Sequence, residues 1–184
     1  MKKLFVAFMA LLLCFLSVGC QKKSNLEENA NQTIIEDYEE VDDEAIMEEL
    51  KSKIKPYQRD SSKGKVVQIT LDEMEKKIKD GDTFAICFVT TFCSVCQSFH
   101  EILDEYLPNH HLVLYQVVLD EEEASTDENA ALVQRYFKEF HTTPGIFYVA
   151  NGRNVSYYDL YQFGMDETLF DIWVQQNQID KKQS

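Results

Sequence analysis

With 184 residues, the chain is long enough for one domain of ordinary size and a tail. Its formal charge of −14, from 32 acidic against 18 basic side chains, argues against a nucleic-acid partner and against electrostatic docking onto anionic lipid. Five cysteines in a chain of this length do not make a disulfide framework, so each is read from its position.

Residues 1–19 read as a signal peptide. Lys2 and Lys3 precede an apolar stretch, Leu4 to Leu16, shorter than the roughly 20 residues of an ordinary membrane span but suited to a signal-peptide core. The stretch ends in Leu16-Ser17-Val18-Gly19-Cys20, which resembles a bacterial lipoprotein signal, with Ser17 where leucine is commoner. That resemblance implies that Cys20 is lipidated, becomes the mature N-terminus and anchors the protein to the extracytoplasmic face of the cell membrane. Simple cleavage near Gly19, leaving Cys20 as an ordinary exported thiol, is the alternative. Cys14 departs with the signal peptide, and loss of Lys2 and Lys3 moves the formal charge from −14 to −16. Membrane attachment then has to come from acyl groups.

Residues 20–64 read as an acidic, largely disordered tether. Glu36 to Glu49 holds nine acids in fourteen residues, a run extended by its own repulsion. Ile46, Leu50 and Ile54 lie four apart, which allows a short helix near the domain.

The folded domain is expected over 65–184. Val66-Val67-Gln68-Ile69 suits a strand, and Thr70-Leu71-Asp72-Glu73 carries a capping-box signal for a helix with Leu71, Met74 and Ile78 on one face, ended by Gly81. Phe84 to Val89 is a continuous apolar run, as in a central strand covered on both faces. A second helix carries Val95, Phe99, Ile102, Leu103 and Tyr106 at spacings of three and four. His111 to Leu119 follows as a β-branched strand. Beyond the acidic loop Asp120 to Glu128, a helix with Val133, Tyr136, Phe137 and Phe140 on its apolar face is predicted. Ile146 to Val149 and Val155 to Tyr158 flank Asn151-Gly152, a hairpin signal, and a last helix from about Asp166 carries Leu169, Ile172 and Trp173.

The chemistry lies between the central strand and the second helix, in Phe92-Cys93-Ser94-Val95-Cys96-Gln97. Two intervening residues in the first turn of a helix let two sulfurs join as a disulfide and part again. The helix N-terminus, with its unpaired N–H groups and positive dipole end, stabilises a thiolate on Cys93, the candidate attacking sulfur. Outside the cytoplasm such a pair points to catalysis. Zinc sites share the spacing, and Cys93, Cys96 and His141 together form a possible soft-metal set. There is no Walker loop, dinucleotide fingerprint, nucleophile elbow, zinc helix or haem-attachment motif.

The element order, the dithiol after the second strand and Thr143-Pro144 just before the fourth together resemble the thioredoxin family over about Lys65 to Gln178. The resemblance implies an α/β, thioredoxin-like fold with a central mixed sheet flanked by helices. It implies catalysis by Cys93 and Cys96, with Cys96 resolving, and substrate binding by Thr143 and Pro144 through a cis peptide bond. No cofactor is implied. The chain departs from the family in having Phe92 in place of tryptophan, Ser94-Val95 in place of Gly-Pro, and Glu101 where a proline is usual. Cys87 stands where the family carries a buried acid; it reads as a small core residue, with a redox role as the alternative, and His141 as surface or as a modulator of the thiolate. His110 and His111 read as structural.

The expected function is an extracytoplasmic, lipid-anchored thiol–disulfide oxidoreductase. Its partners would be thiols or disulfides of exported proteins and a membrane or extracytoplasmic redox partner, with no nucleic acid. The alternatives are a non-catalytic accessory lipoprotein, similar to bacteriocin-transport accessory proteins, and a soft-metal-handling protein.

Overall fold

The computed structural model describes residues 43–183. The signal peptide, Cys20 and the tether as far as residue 42 lie outside the described residues. The chain divides into two units, residues 1–46 and 47–184; of the first, only the opening of helix α1 (Asp43–Ser52) is described.

In the second unit five strands form one mixed sheet: β1 (Lys65–Gln68), β2 (Phe84–Val89), β3 (Val113–Val118), β4 (Gly145–Ala150) and β5 (Arg153–Tyr158). Their spatial order is β1-β3-β2-β4-β5. β3 is parallel to both β1 and β2, whereas β4 runs antiparallel to β2 and β5 antiparallel to β4. All six residues of β2 are buried, as its unbroken apolar run requires of a strand covered on both faces.

Alternation along β2 divides the core into two layers. Ala85, Cys87 and Val89 join a cluster with residues of α3 (Ser94–Tyr106) and α6 (Glu167–Gln176). Phe84, Ile86 and Phe88 pack on the other side with α2 (Leu71–Asp80) and α4 (Thr126–Tyr136). Phe88 centres this second layer, with ring centroids 5.1 Å from Phe137, 5.5 Å from Phe140 and 6.0 Å from Phe147.

Local signals set the boundaries. Thr70 and Glu73 close a reciprocal capping box on α2, and Gly81 ends it in the left-handed conformation with φ 78°. Asn151 and Gly152, at φ 52° and 69°, make the tight β4–β5 turn. Three expected extents change. β3 starts at Val113, because His110 stacks on Tyr106 at 3.9 Å and its Nδ1–H donates to the Tyr106 carbonyl. α4 ends at Tyr136; Phe137 and Phe140 reach the core from a tight turn beyond it, where the Phe140 N–H donates to the Phe137 carbonyl. Val95 is exposed and off the apolar face of α3, which Cys96, Phe99, Leu103 and Tyr106 form.

Ahead of Lys65, residues 57–60 are fastened to the C-terminal segment. Arg59 Nε donates to Asp180 Oδ2 at 2.6 Å, and Arg59 Nη2 donates to Asp171 Oδ1 at 2.5 Å and to the Tyr106 hydroxyl at 2.9 Å. Tyr57 donates to Asp180 Oδ1 at 2.5 Å. Backbone bonds from Asp60 N–H to the Asp180 carbonyl and from Lys182 N–H to the Gln58 carbonyl complete the clasp. Burial alone would raise the Asp171 carboxyl, but hydrogen bonds from Arg59 and Tyr106 outweigh it and hold the group below its ordinary value.

Candidate functional site

Two elements deliver the dithiol: the end of β2 and the start of α3. Thr91 N–H donates to both Asp120 carboxylate oxygens at 3.0 and 3.1 Å, tying the turn after β2 to the end of β3. This backbone bond chiefly lowers the Asp120 carboxyl. Cys93 then serves as the N-cap of α3, its Sγ accepting the Cys96 N–H at 3.1 Å. No acid stands in the first turn of α3, so nothing there opposes its positive dipole end.

Cys93 and Cys96 are joined as a disulfide with Cα atoms 5.2 Å apart. The two sulfurs differ in access: Cys93 is half-buried, whereas Cys96 is only 4% exposed. Beside them Phe92 is 97% exposed and Val95 is exposed as well, so two apolar side chains stand at the surface among the polar Thr91, Ser94 and Gln97.

Thr143 and Pro144 lie where the resemblance implies, with a cis bond between them. The Thr143 hydroxyl donates to Cys93 Sγ at 3.5 Å, and the Thr143 carbonyl lies 3.5 Å from the same sulfur. In the disulfide that sulfur has no hydrogen, so the carbonyl contact becomes an S–H···O bond only in the thiol. Thr143 precedes β4, and its own N–H meets no acceptor among the described residues.

Cys87 is fully buried and free, and burial pushes its thiol well up, so it stays protonated and unreactive. Its sulfur lies 3.8 Å from Gln116 Oε1, which also accepts from His100 Nε2 at 2.7 Å. His141 is exposed and makes no hydrogen bond to either sulfur; among the described residues no group of three or more His, Cys, Asp or Glu is placed to hold a metal ion. Glu101 is exposed on α3, and His111 Nδ1 meets Ser62 Oγ at 3.0 Å.

Sequence reading missed Asp120, which anchors the turn, and the short helix α5 (Leu160–Phe163), capped by Asp159, which stands beside Pro144. The N-capping Asp159 before Leu160-Tyr161-Gln162-Phe163 was the available cue for the latter, and four residues are too few to carry a periodicity.

The strand order, the dithiol at the head of the helix after β2 and the cis proline before β4 define a thioredoxin-like fold. No family model matches the chain, and neither does any curated protein. Among solved structures it is similar to a mutant thioredoxin of Halobacterium salinarum NRC-1, at 14% identity over 68% of this chain and 99% of that one, with a TM-score of 0.46. It is similar to a thioredoxin of Malassezia sympodialis at 16% identity, over 66% and 99% of the two chains, with a TM-score of 0.45. Mitochondrial thioredoxin 3 of Saccharomyces cerevisiae, in its oxidised form, gives 19%, 58%, 90% and 0.40 for the same measures. Likenesses this distant carry no functional argument; the site geometry has to supply it.

Proposed function

We propose that the chain is an extracytoplasmic, lipid-anchored thiol–disulfide oxidoreductase that exchanges disulfides with exported proteins through Cys93 and Cys96. The observation that carries the reaction is the asymmetry of the disulfide. Cys93 is reachable and receives hydrogen bonds from the Cys96 N–H and the Thr143 hydroxyl, whereas Cys96 is buried behind it. The compartment rests on Lys2, Lys3, the apolar run that follows and the lipoprotein-like sequence around Cys20.

In the oxidising direction a substrate thiolate attacks Cys93 Sγ, the Cys93–Cys96 bond breaks, and Cys96 leaves with the electron pair and takes up a proton. The substrate is then held as a mixed disulfide on Cys93. A second substrate thiolate attacks the substrate sulfur of that bond, and Cys93 leaves as a thiolate favoured by its two donors and the head of α3. Two electrons pass from substrate to protein, and reduction runs the same steps in reverse. A membrane or extracytoplasmic redox partner restores the starting state. The unpaired Thr143 N–H offers the substrate backbone a hydrogen bond at the reacting sulfur.

Trapping in cells with Cys96→Ala tests the reading, because a mixed disulfide formed when Cys93 attacks a substrate disulfide then has no Cys96 to resolve it. Adducts on Cys93 that disappear with reductant are expected. Absence of any adduct at native expression, together with no reversible Cys93–Cys96 disulfide in the purified protein, would sink it.

One observation favours the accessory reading instead. Buried polar side chains among the described residues are Gln116, Asn129 and Asp180; Gln116 meets Cys87, and Asp180 belongs to the clasp, so no buried carboxylate is there to take a proton from Cys96. A Cys93→Ser, Cys96→Ser double variant that restores the phenotype of a deletion strain would decide for that reading.

A further inference from the structure

Pro144 and Gly145 wall a cavity of about 40 Å³, and Pro144 directly follows Thr143, the residue that touches Cys93. Its other side carries Tyr157, Tyr161, Asp159 and Glu139. Tyr161 is 82% exposed at the head of α5. No lysine or arginine lines the cavity; His141 does, and Glu139 also borders a neighbouring cleft with Arg135, Lys138 and Arg153, yet among the described residues neither carboxylate is in an ion pair. Asp159 Oδ1 caps α5, accepting from the N–H groups of Tyr161 and Gln162, while Oδ2 meets only the Tyr157 hydroxyl at 3.4 Å. Glu139 Oε2 accepts from Asn154 Nδ2 at 3.0 Å, and Oε1 is unengaged. Both carboxylates therefore keep accepting capacity. Asp159 chiefly, with Glu139 behind it, pushes the Tyr157 hydroxyl up, which marks negative potential at the rim.

We propose that this cavity is a specificity subsite for a lysine or arginine side chain on an extended, cysteine-bearing substrate segment. A cation meets exposed tyrosine faces and two unpaired carboxylates at once. An acidic or purely apolar occupant would desolvate those carboxylates without compensation. Since the cavity begins one residue from Thr143 and an extended chain advances about 3.3 Å per residue, the basic residue lies within about three residues of the reacting cysteine. The inference rests on the exchange reaction proposed above and adds the chemistry of the segment it accepts.

The test uses the oxidised full chain and three synthetic peptides with one cysteine each. Lysine, glutamine or glutamate occupies the positions two and three residues away on both sides. Initial rates of mixed-disulfide formation on Cys93 are followed by acid quench and mass measurement. The lysine peptide is expected to react roughly two- to fivefold faster than the glutamine peptide, the range that exposed ion pairs support. Glu139→Gln with Asp159→Asn should abolish that advantage while leaving the glutamine-peptide rate unchanged, since asparagine still caps α5; Glu139→Gln alone should remove part of it. Equal lysine and glutamine rates in the native chain, or an advantage that survives in the double variant, overturn the subsite and leave the exchange reaction standing. Failure of every peptide to react overturns both.

Discussion

Arg59→Met removes the cation that holds the clasp while keeping most of the apolar stem. Asp180 is 0% exposed, and without Arg59 its carboxylate retains only the Tyr57 hydroxyl among the described residues. Breaking a buried ion pair by deleting one partner costs about 3–5 kcal/mol, and the lower end applies here because the Arg59 side chain is 28% exposed and water reaches the vacated place. About 3 kcal/mol of unfolding free energy should therefore be lost. Urea denaturation followed by far-UV circular dichroism measures it, with amide hydrogen exchange at Asp60 and Lys182 reporting release of the segment itself. Asp180→Asn alone should also destabilise, yet the double variant should lose less than the sum, because no uncompensated charge remains. A loss under about 1 kcal/mol for Arg59→Met, or strict additivity, would refute the view that the segment before Lys65 is locked by charge.

Acid should loosen the same clasp. The Asp171 carboxyl is held below its ordinary value of 3.8, so its contribution is fully present above that value and is lost as pH falls through the lower folded value; a pH titration of stability that is flat below pH 4 would contradict this. Phe88→Ala, which removes the ring at the centre of three phenylalanines, should cost about 3–5 kcal/mol in the same urea assay, and a cost below 2 would mean the layer collapses onto the gap. After reduction, iodoacetamide should label Cys93 well before Cys87, because burial keeps the Cys87 thiol protonated; site-resolved mass measurement showing comparable rates would exclude that account.

What was legible in the sequence is what short-range chemistry encodes. Thr70 with Glu73, Gly81, and Asn151-Gly152 each declare a boundary within four residues, and the buried run Phe84 to Val89 declares the centre of the sheet. From those marks the order of elements and the place of Cys93 and Cys96 follow. The clasp was invisible because Arg59 meets Asp171 and Asp180 across more than a hundred residues, with no pattern linking them. Phe137 and Phe140 show the limit of periodicity: both are buried as the spacing required, but a turn brings them there where a longer helix was expected. Val95 shows another, since an apolar residue between two cysteines belongs equally well to a buried face or to an exposed contact surface, and only the phase of α3 separates the two.

The clasp and the dithiol stand at opposite ends of one helix. Cys93 caps α3, and Tyr106, its last residue, donates to Asp171 and accepts from Arg59. Thirteen residues at about 1.5 Å each separate the two ends by roughly 20 Å. The chain therefore enters the domain at the end of α3 remote from the disulfide, and a rigid charged fastening, in place of a loose joint, fixes that polarity. The fastening at this end leaves Phe92 and Cys93 at the other end of α3 from residues 57–60. At that far end the exposed Phe92 and Val95 neighbour Cys93 in sequence, and the Thr143 hydroxyl touches its sulfur. Because the two sites lie a helix length apart, Arg59→Met should release residues 57–60, read as faster amide exchange at Asp60, without altering the Cys93–Cys96 chemistry; a changed rate of disulfide reduction in that variant would contradict this separation.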